Sequence, residues 1–273
     1  MPRNGGQGQS LGTIYKERRI GSALSVCMRI AVSRFGGKGY QFWYLDSNAG
    51  SGMNDLVGVE GSPLVFYRQA DQWLSTMPPQ AFFAEIDENR VRQLWRRIQA
   101  SNWRERSRLI PRDNEKALKI FGQCIEQHEN PRHAVGAILV DPNGWFDRAK
   151  NGEGVPVEGL FEFVKKFPKI DLILNLNVRS YQLARTQQWG ERLLSVRELM
   201  PKLRKRYWLL GRVQPPGSRF ILMIGRNIET RPHTRLGLHL ADSAEGREII
   251  EWAEGHRQSN LPQLSLPRTR REG

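Results

Sequence analysis

Four short segments carry acids beside a glycine, a proline or a helix start, and each can hold a polar ligand. The first is Asp46-Ser-Asn-Ala-Gly-Ser-Gly52. Gly50 and Gly52 permit a tight turn and let the backbone come close to a ligand, with free N–H groups facing a carboxylate or phosphate. A plain glycine turn has the same composition. The second, Glu85-Ile-Asp87, offers an acid that can accept hydrogen bonds from both hydroxyls of a ribose. Asp87 also precedes a helical stretch and suits an N-cap, so either acid could be the ribose acceptor. The third is Arg112-Asp113-Asn114, where a side chain can reach an adenine amino group. Capping a helix is the simpler role for Asp113 or Asn114. The fourth, Asp141-Pro-Asn-Gly-Trp145, places an acid at the exit of an apolar run. Pro142 and Gly144 set a turn there, and Trp145 offers a flat face on which a base can stack, or is simply a surface residue of a β-turn.

The elements that must position these segments follow from periodicity. Phe42–Leu45, Ala81–Ile86, Ser107–Pro111, Val135–Val140, Asp171–Leu176, Tyr207–Leu210 and Arg219–Ile224 read as strands. The run Val135–Val140 is continuously apolar, as a buried central strand is. Pro63–Trp73, Asn89–Ala100, Asn114–Gln127, Val157–Phe167, Val196–Arg206 and Ser243–Glu254 read as helices, the last capped by Ser243. Strands that alternate with helices imply a doubly wound α/β fold, a mostly parallel sheet covered on both faces. Ligands bind such sheets outside the carboxyl ends of the strands, at the switch point. All four acid-bearing segments directly follow strands.

Composition bounds the partners. Lys and Arg number 42 against 28 acids, a formal charge of +14, with a pI near 10.3. Such an excess favours a polyanion, and nucleic acid is the commonest one. Arg90, Arg92, Arg96, Arg97, Arg104, Arg106 and Arg108 cluster around Trp95 and Trp103, and Lys202, Arg204, Lys205 and Arg206 form a second run. The two cysteines, Cys27 and Cys124, form no CxxC or Cys/His cluster, so no metal site is expected. A low cysteine count and the lack of a signal-like or membrane-spanning apolar run point to the cytoplasm. Residues 1–12 read as a disordered N-terminus, 13–255 as one α/β domain, and 256–273 as a flexible basic tail broken by Pro262 and Pro267.

Together these segments resemble the Rossmann-like S-adenosylmethionine-dependent methyltransferases. More narrowly, the chain resembles the three-Cys-motif partner family. The resemblance rests on Tyr44-Leu-Asp-Ser-Asn-Ala-Gly-Ser-Gly52, Gly61-Ser-Pro-Leu64, Glu85-Ile-Asp87, Asp113-Asn114 and Leu139-Val-Asp-Pro-Asn-Gly144, within roughly residues 15–180. It implies that Asp46, Asn48, Ala49, Gly50 and Gly52 line the methionine part of S-adenosylmethionine. It implies further that Glu85 or Asp87 holds the ribose, that Asp113 and Asn114 border the adenine, and that Asp141, Pro142, Asn143, Gly144 and Trp145 form the methyl-acceptor pocket. The loop is also similar to that of amino-methylating DNA methyltransferases, which often read Asp-x-Phe-Ala-Gly-x-Gly. Asn48 stands where their Phe is common. Asp-Pro-Asn-Gly stands where adenine-N6 and cytosine-N4 enzymes carry Asp/Asn-Pro-Pro-Tyr/Phe.

The function this implies is methyl transfer to nucleic acid, at an exocyclic base amine, with adenine N6 and DNA preferred and a protein partner possible. Neither cysteine lies in a Pro-Cys setting, which argues against covalent attack on cytosine. Asn175 and Asn177 follow or end a strand and either line the same cleft or are satisfied loop amides. The alternative is a non-catalytic or partner-dependent protein that keeps the fold and binds nucleic acid. A protein or small-molecule substrate fits the charge less well.

Overall fold

A computed structural model describes residues 11–55, 58–141, 157–178, 182, 194–213 and 220–255. The chain opens with α1 (Leu11–Phe35), then β1 (Gln41–Asp46), the short hairpin β2 (Met53–Asn54) and β3 (Val59–Glu60), and α2 (Ser62–Trp73). It continues through β4 (Pro79–Ala84), α3 (Glu88–Gln99), β5 (Ser107–Ile110), α4 (Asn114–Glu126) and β6 (Ala134–Val140). The last third holds α5 (Val157–Lys166), β7 (Ile170–Asn177), α6 (Val196–Lys202), β8 (Tyr207–Val213), β9 (Phe220–Arg226), β10 (His239–Leu240) and α7 (Ala244–Ala253).

Eight strands form one sheet in the order β10-β8-β9-β7-β6-β1-β4-β5. From β5 to β7 every pairing is parallel, while β9 runs antiparallel to both β7 and β8. The chain order reverses at β1, which pairs with β4 on one side and β6 on the other. That is the switch point of a doubly wound sheet. The alternation of side chains along β1 divides the core. Phe42 and Tyr44 face α1, α2 and α3, whereas Trp43 and Leu45 face α4 to α7.

Four of the helices start where a side chain supplies an acceptor. Asp87 caps α3 by accepting from the N–H groups of Asn89 and Arg90, and Asp113 caps α4 by accepting from Lys116 N–H. Ser195 and Glu198 form a capping box on α6, and Ser243 caps α7 as expected.

The differences from the sequence reading have local causes. The N-terminal segment expected to be disordered is helical from Leu11 onward, so Leu11 and Gly12 belong to α1; residues 1–10 lie outside the described residues. The apolar positions Ile20, Ala23, Leu24, Cys27, Met28 and Ala31 recur at helical spacing and are buried, which anchors α1 to the sheet. Strand β4 stops at Ala84 rather than Ile86, because Glu85 to Asp87 turn into the cap of α3. Helix α6 ends at Lys202 rather than Arg206, since Arg204 takes a left-handed φ of 49°. The tail 256–273 lies outside the described residues.

Candidate functional site

Parallel register brings the acid-bearing segments to one rim. Asp46, the last residue of β1, is level with Phe83 of β4 and Leu139 of β6. Glu85 and Asp141 each follow two residues beyond those partners, and Ala84 is level with Ile110, just ahead of Asp113. The glycine loop is pinned across the switch point. Ser47 N–H donates to Leu139 O on one side (3.0 Å) and Ala49 N–H to Ala84 O on the other (2.9 Å). Gly50 and Gly52 both have positive φ, 62° and 81°. A Cβ on Gly50 would touch nothing within 4 Å, whereas one on Gly52 would lie 2.8 Å from Leu94 Cδ1. The loop is therefore open above Gly50 and closed against α3 at Gly52. Arg97 braces it from α3, donating to Ser51 O at 2.5 Å and to Asp55 at 2.9 Å. This arginine, counted above with a surface cluster, is a strut for the loop.

Asp46 is fully buried. Its Oδ1 accepts from Asn48 N–H at 3.1 Å. Burial pushes its carboxyl up to about 7, against the opposing pull of the Ser62 hydroxyl and the Asn48 amide. Asp141 lies just past β6 and is held from two directions. Lys16 of α1 donates to its Oδ2 at 2.7 Å, and Asn175 of β7 donates to its Oδ1 at 2.7 Å. Asn175 is thus in the cleft and not a loop amide. Glu17 sits beside Lys16, 3.6 Å from its Nζ. Burial raises Glu17 to about 8, Lys16 pulls it down, and Asp141 and Asp46 push it further up. Burial lowers the Lys16 ammonium, yet Asp141 and Glu17 outweigh that and leave it raised.

The two acids of the second segment have different duties. Asp87 Oδ1 accepts from Asn89 and Arg90 N–H at 2.9 and 3.0 Å, which commits it to the helix cap. Glu85 Oε1 accepts from Asp87 N–H at 2.9 Å, and its Oε2 lies 3.9 Å from Arg90. Asp113 likewise caps α4 and pairs with Lys116 at 3.1 Å. Burial is the largest single influence on its carboxyl and raises it, but the hydrogen bonds and charge of Lys116 together outweigh it and leave it lowered. Asn114 is buried at the first position of that helix. Pro142, Asn143, Gly144 and Trp145 lie outside the described residues.

Lys16 and Glu17 are the site residues that sequence reasoning missed. Their partners lie 125 and roughly 30 positions away, and no local pattern marks them. Among the described residues no group of His, Cys, Asp and Glu could hold a metal ion, and no helix is long and apolar enough to cross a membrane. A groove of about 490 Å³ lies at the opposite rim, walled by Lys205, Tyr207, Trp208 and Thr230, remote from these acids.

No family model matches the sequence, and no curated protein matches it. Solved structures share its fold. A Legionella pneumophila protein superposes with a TM-score of 0.53 at 12% identity, over 87% of this chain and 91% of its own. An S-adenosylmethionine-dependent methyltransferase from Agrobacterium tumefaciens gives 0.44 at 12% identity, over 80% of this chain and 62% of its own. The methyltransferase domain of METTL16, shortened at its N-terminus, gives 0.42 at 10% identity, over 78% and 83%. The chain has the doubly wound, mostly parallel α/β architecture of the Rossmann-like class.

Proposed function

We propose that this protein is an S-adenosylmethionine-dependent methyltransferase that acts on nucleic acid at an exocyclic base amine, adenine N6 before others and DNA before RNA. The observation that carries the reading is the meeting of the glycine loop, Glu85 and Asp141 at the switch-point rim. The residues present fit the cofactor. Open space lies above Gly50 for its chain, and the buried carboxyl of Asp46 suits a positively charged group. Bound there, the cofactor supplies a methyl group on a sulfonium.

The chain's own residues do the rest. Asp46, Asn48, Ala49, Gly50 and Gly52 cradle the methionine part. Glu85 takes the ribose hydroxyls, because Asp87 is spent on its helix cap. Asp113 and Asn114 border the adenine at the start of α4. Asp141 accepts a hydrogen bond from the acceptor amine, an otherwise poor nucleophile whose lone pair is delocalised into the ring. Lys16 and Asn175 fix the direction in which Asp141 points. Pro142, Asn143 and Gly144, which lie outside the described residues, are assigned to the acceptor pocket by this reading, and Trp145 to stacking on a base flipped from its duplex. Exposed arginines on and after α3, Arg90, Arg92, Arg104 and Arg106, contact phosphates.

The test is transfer of labelled methyl to DNA and RNA by the wild type and by Asp141→Ala. Loss of a positioned polar group of this kind lowers the rate by about 10²–10³. Incorporation that survives the change removes Asp141 from the chemistry. A second reading, a partner-dependent protein without activity of its own, draws on the fact that both Asp141 oxygens are already engaged within the chain. Cofactor binding without transfer to any substrate would favour it.

A further inference from the structure

Four buried oxygens in the Lys16–Asp141 cluster complete no hydrogen bond of normal geometry among the described residues. They are Glu17 Oε2 on α1, Tyr44 Oη and Asp46 Oδ2 on β1, and Asn175 Oδ1 on β7. All four can accept. The hydroxyls of Tyr44 and Ser62 face the Asp46 carboxyl and can serve it, which leaves Glu17 Oε2 and Asn175 Oδ1 as buried acceptors with no donor among the described residues, and a buried acceptor left unmet is destabilising and marks where a donor belongs. Water can donate, but it brings no charge, and among the described residues Lys16 is the one cation facing Glu17, Asp46 and Asp141, so that burial keeps Glu17 protonated until a second cation arrives. The missing group is therefore rich in N–H donors and cationic. A metal ion does not fit, since no ligand set for one exists among the described residues. An ammonium does.

We infer that Glu17 is a cofactor-binding residue, which with Asp46 receives the α-ammonium of the methionine moiety; this rests on the cofactor reading above. The first helix thereby becomes part of the site. The resemblance that suggested the other residues assigns it nothing. A consequence concerns protons. The groups facing Glu17 are Lys16 on its own helix, Tyr44 and Asp46 on β1, and Asp141 beyond β6. With its carboxyl raised to about 8, Glu17 carries a proton at neutral pH. An ammonium docking beside it favours the carboxylate form, so the proton passes to solvent as the ligand binds.

The experiment is calorimetry on the full chain at pH 7 with two probes. S-adenosylhomocysteine carries the amino acid, and 5′-methylthioadenosine carries the adenosine and sulfur without it. For Glu17→Gln, affinity for S-adenosylhomocysteine is expected to fall roughly ten- to a hundredfold, the size of a lost hydrogen bond to a charged group. Affinity for 5′-methylthioadenosine stays unchanged. In buffers of unlike ionisation heat, the wild type releases protons with S-adenosylhomocysteine from both Glu17 and Asp46, and Glu17→Gln releases fewer, by the share that Glu17 carried. Equal affinity of both proteins for S-adenosylhomocysteine overturns the inference and leaves the cofactor reading standing. Binding of neither probe to the wild type defeats the cofactor reading and this inference with it. If Glu17→Gln does not fold, the wild type decides alone: no proton released at pH 7 overturns the inference.

Discussion

Two buried ionic clusters lie at opposite ends of the same sheet, and they are built with opposite imbalance. At the carboxyl rim, Glu17, Asp46 and Asp141 share one cation among the described residues, Lys16. At the amino rim, Asp171 near the start of β7 faces Arg226 at the end of β9 and Lys205 before β8. Arg226 donates to Asp171 at 2.6 Å, with both side chains almost wholly buried. Lys205 is counted in the sequence with a basic surface run, yet it is buried and donates to Ile170 O at 2.5 Å and Pro168 O at 3.2 Å. Helix α1 touches both clusters, through Lys16 and Glu17 at one end and through Cys27 beside Asp171 further along. At the amino rim part of the excess positive charge meets backbone carbonyls at and just before the start of β7, which is a structural use. Both clusters keep buried polar atoms without a hydrogen-bond partner among the described residues, donors on Arg226 Nε and Nη1 at the amino rim and acceptors on Glu17 and Asn175 at the carboxyl rim, and the acceptors lie where the sheet's switch point opens. Unsatisfied polarity at the open rim is the kind of cost that a ligand can relieve.

The sharpest way to break this contrast is Asp171→Ala. It strands Arg226 and Lys205 as buried cations, and removing one partner of a buried pair typically costs about 3–5 kcal/mol. Denaturant unfolding should show a loss of that order, while S-adenosylhomocysteine binding to the folded fraction stays unchanged. A variant as stable as wild type would mean the amino-rim pair holds nothing together.

The next test uses the sign of the two imbalances. Glu17 titrates near 8 in the folded protein against 4.5 when free, so between those values the native state keeps a proton that the unfolded chain has lost. Its contribution is full below pH 4.5 and is lost as pH rises through 8. Asp46, raised from 3.8 to about 7, adds to the same slope. Burial lowers Lys205 from 10.5 to about 8, opposed by Asp171 and aided by Arg226. There the unfolded chain holds the extra proton, and stability rises with pH across that window. Each group changes the slope by at most about 1.4 kcal/mol per pH unit. Glu17→Gln should flatten the fall between pH 4.5 and 8, and Lys205→Met the rise above 8, as read from melts in a pH series. A Glu17→Gln curve parallel to wild type would show that this carboxyl is not protonated in the native state.

Legibility in the sequence divides along the same line. The strands β1, β4 and β6 and the acids at their ends were plain, because apolar runs closed by an acid and a turn are local patterns. The antiparallel placement of β9 was not, since pairing partners leave no mark within a strand. Helix α1 was hidden for another reason. Gly21, Ser22 and Ser25 interrupt its apolar face, and Arg18 and Arg19 precede it, so the spacing of Ile20, Leu24 and Met28 stands out only once packed. The carboxyl-rim cluster depends on that helix. Without α1 the acids could be named, but their counter-ion Lys16 and their fourth member Glu17 could not.

The smallest expected effect separates two acids within the carboxyl rim itself. Asp87 and Glu85 are equal candidates for the ribose by sequence, two residues apart. Asp87 holds two N–H groups that helix α3 leaves without intrahelical partners, so Asp87→Ala should cost about 1 kcal/mol, within the range of 0.5–2 seen for lost caps. The cap does not face the ligand, so affinity for S-adenosylhomocysteine should stay within twofold. Glu85→Ala should do the reverse. It removes one acceptor from Asp87 N–H and a distant contact with Arg90, a minor loss to the fold, but it takes away the carboxylate left to meet two hydroxyls. A 2′-deoxyribose analogue of the cofactor then provides the control, for it should bind the wild type more weakly and Glu85→Ala almost as well as the parent compound does. If Asp87→Ala loses affinity and Glu85→Ala keeps it, the division of labour between cap and ribose acceptor is inverted, and α3 begins with the ligand's acid and not its own.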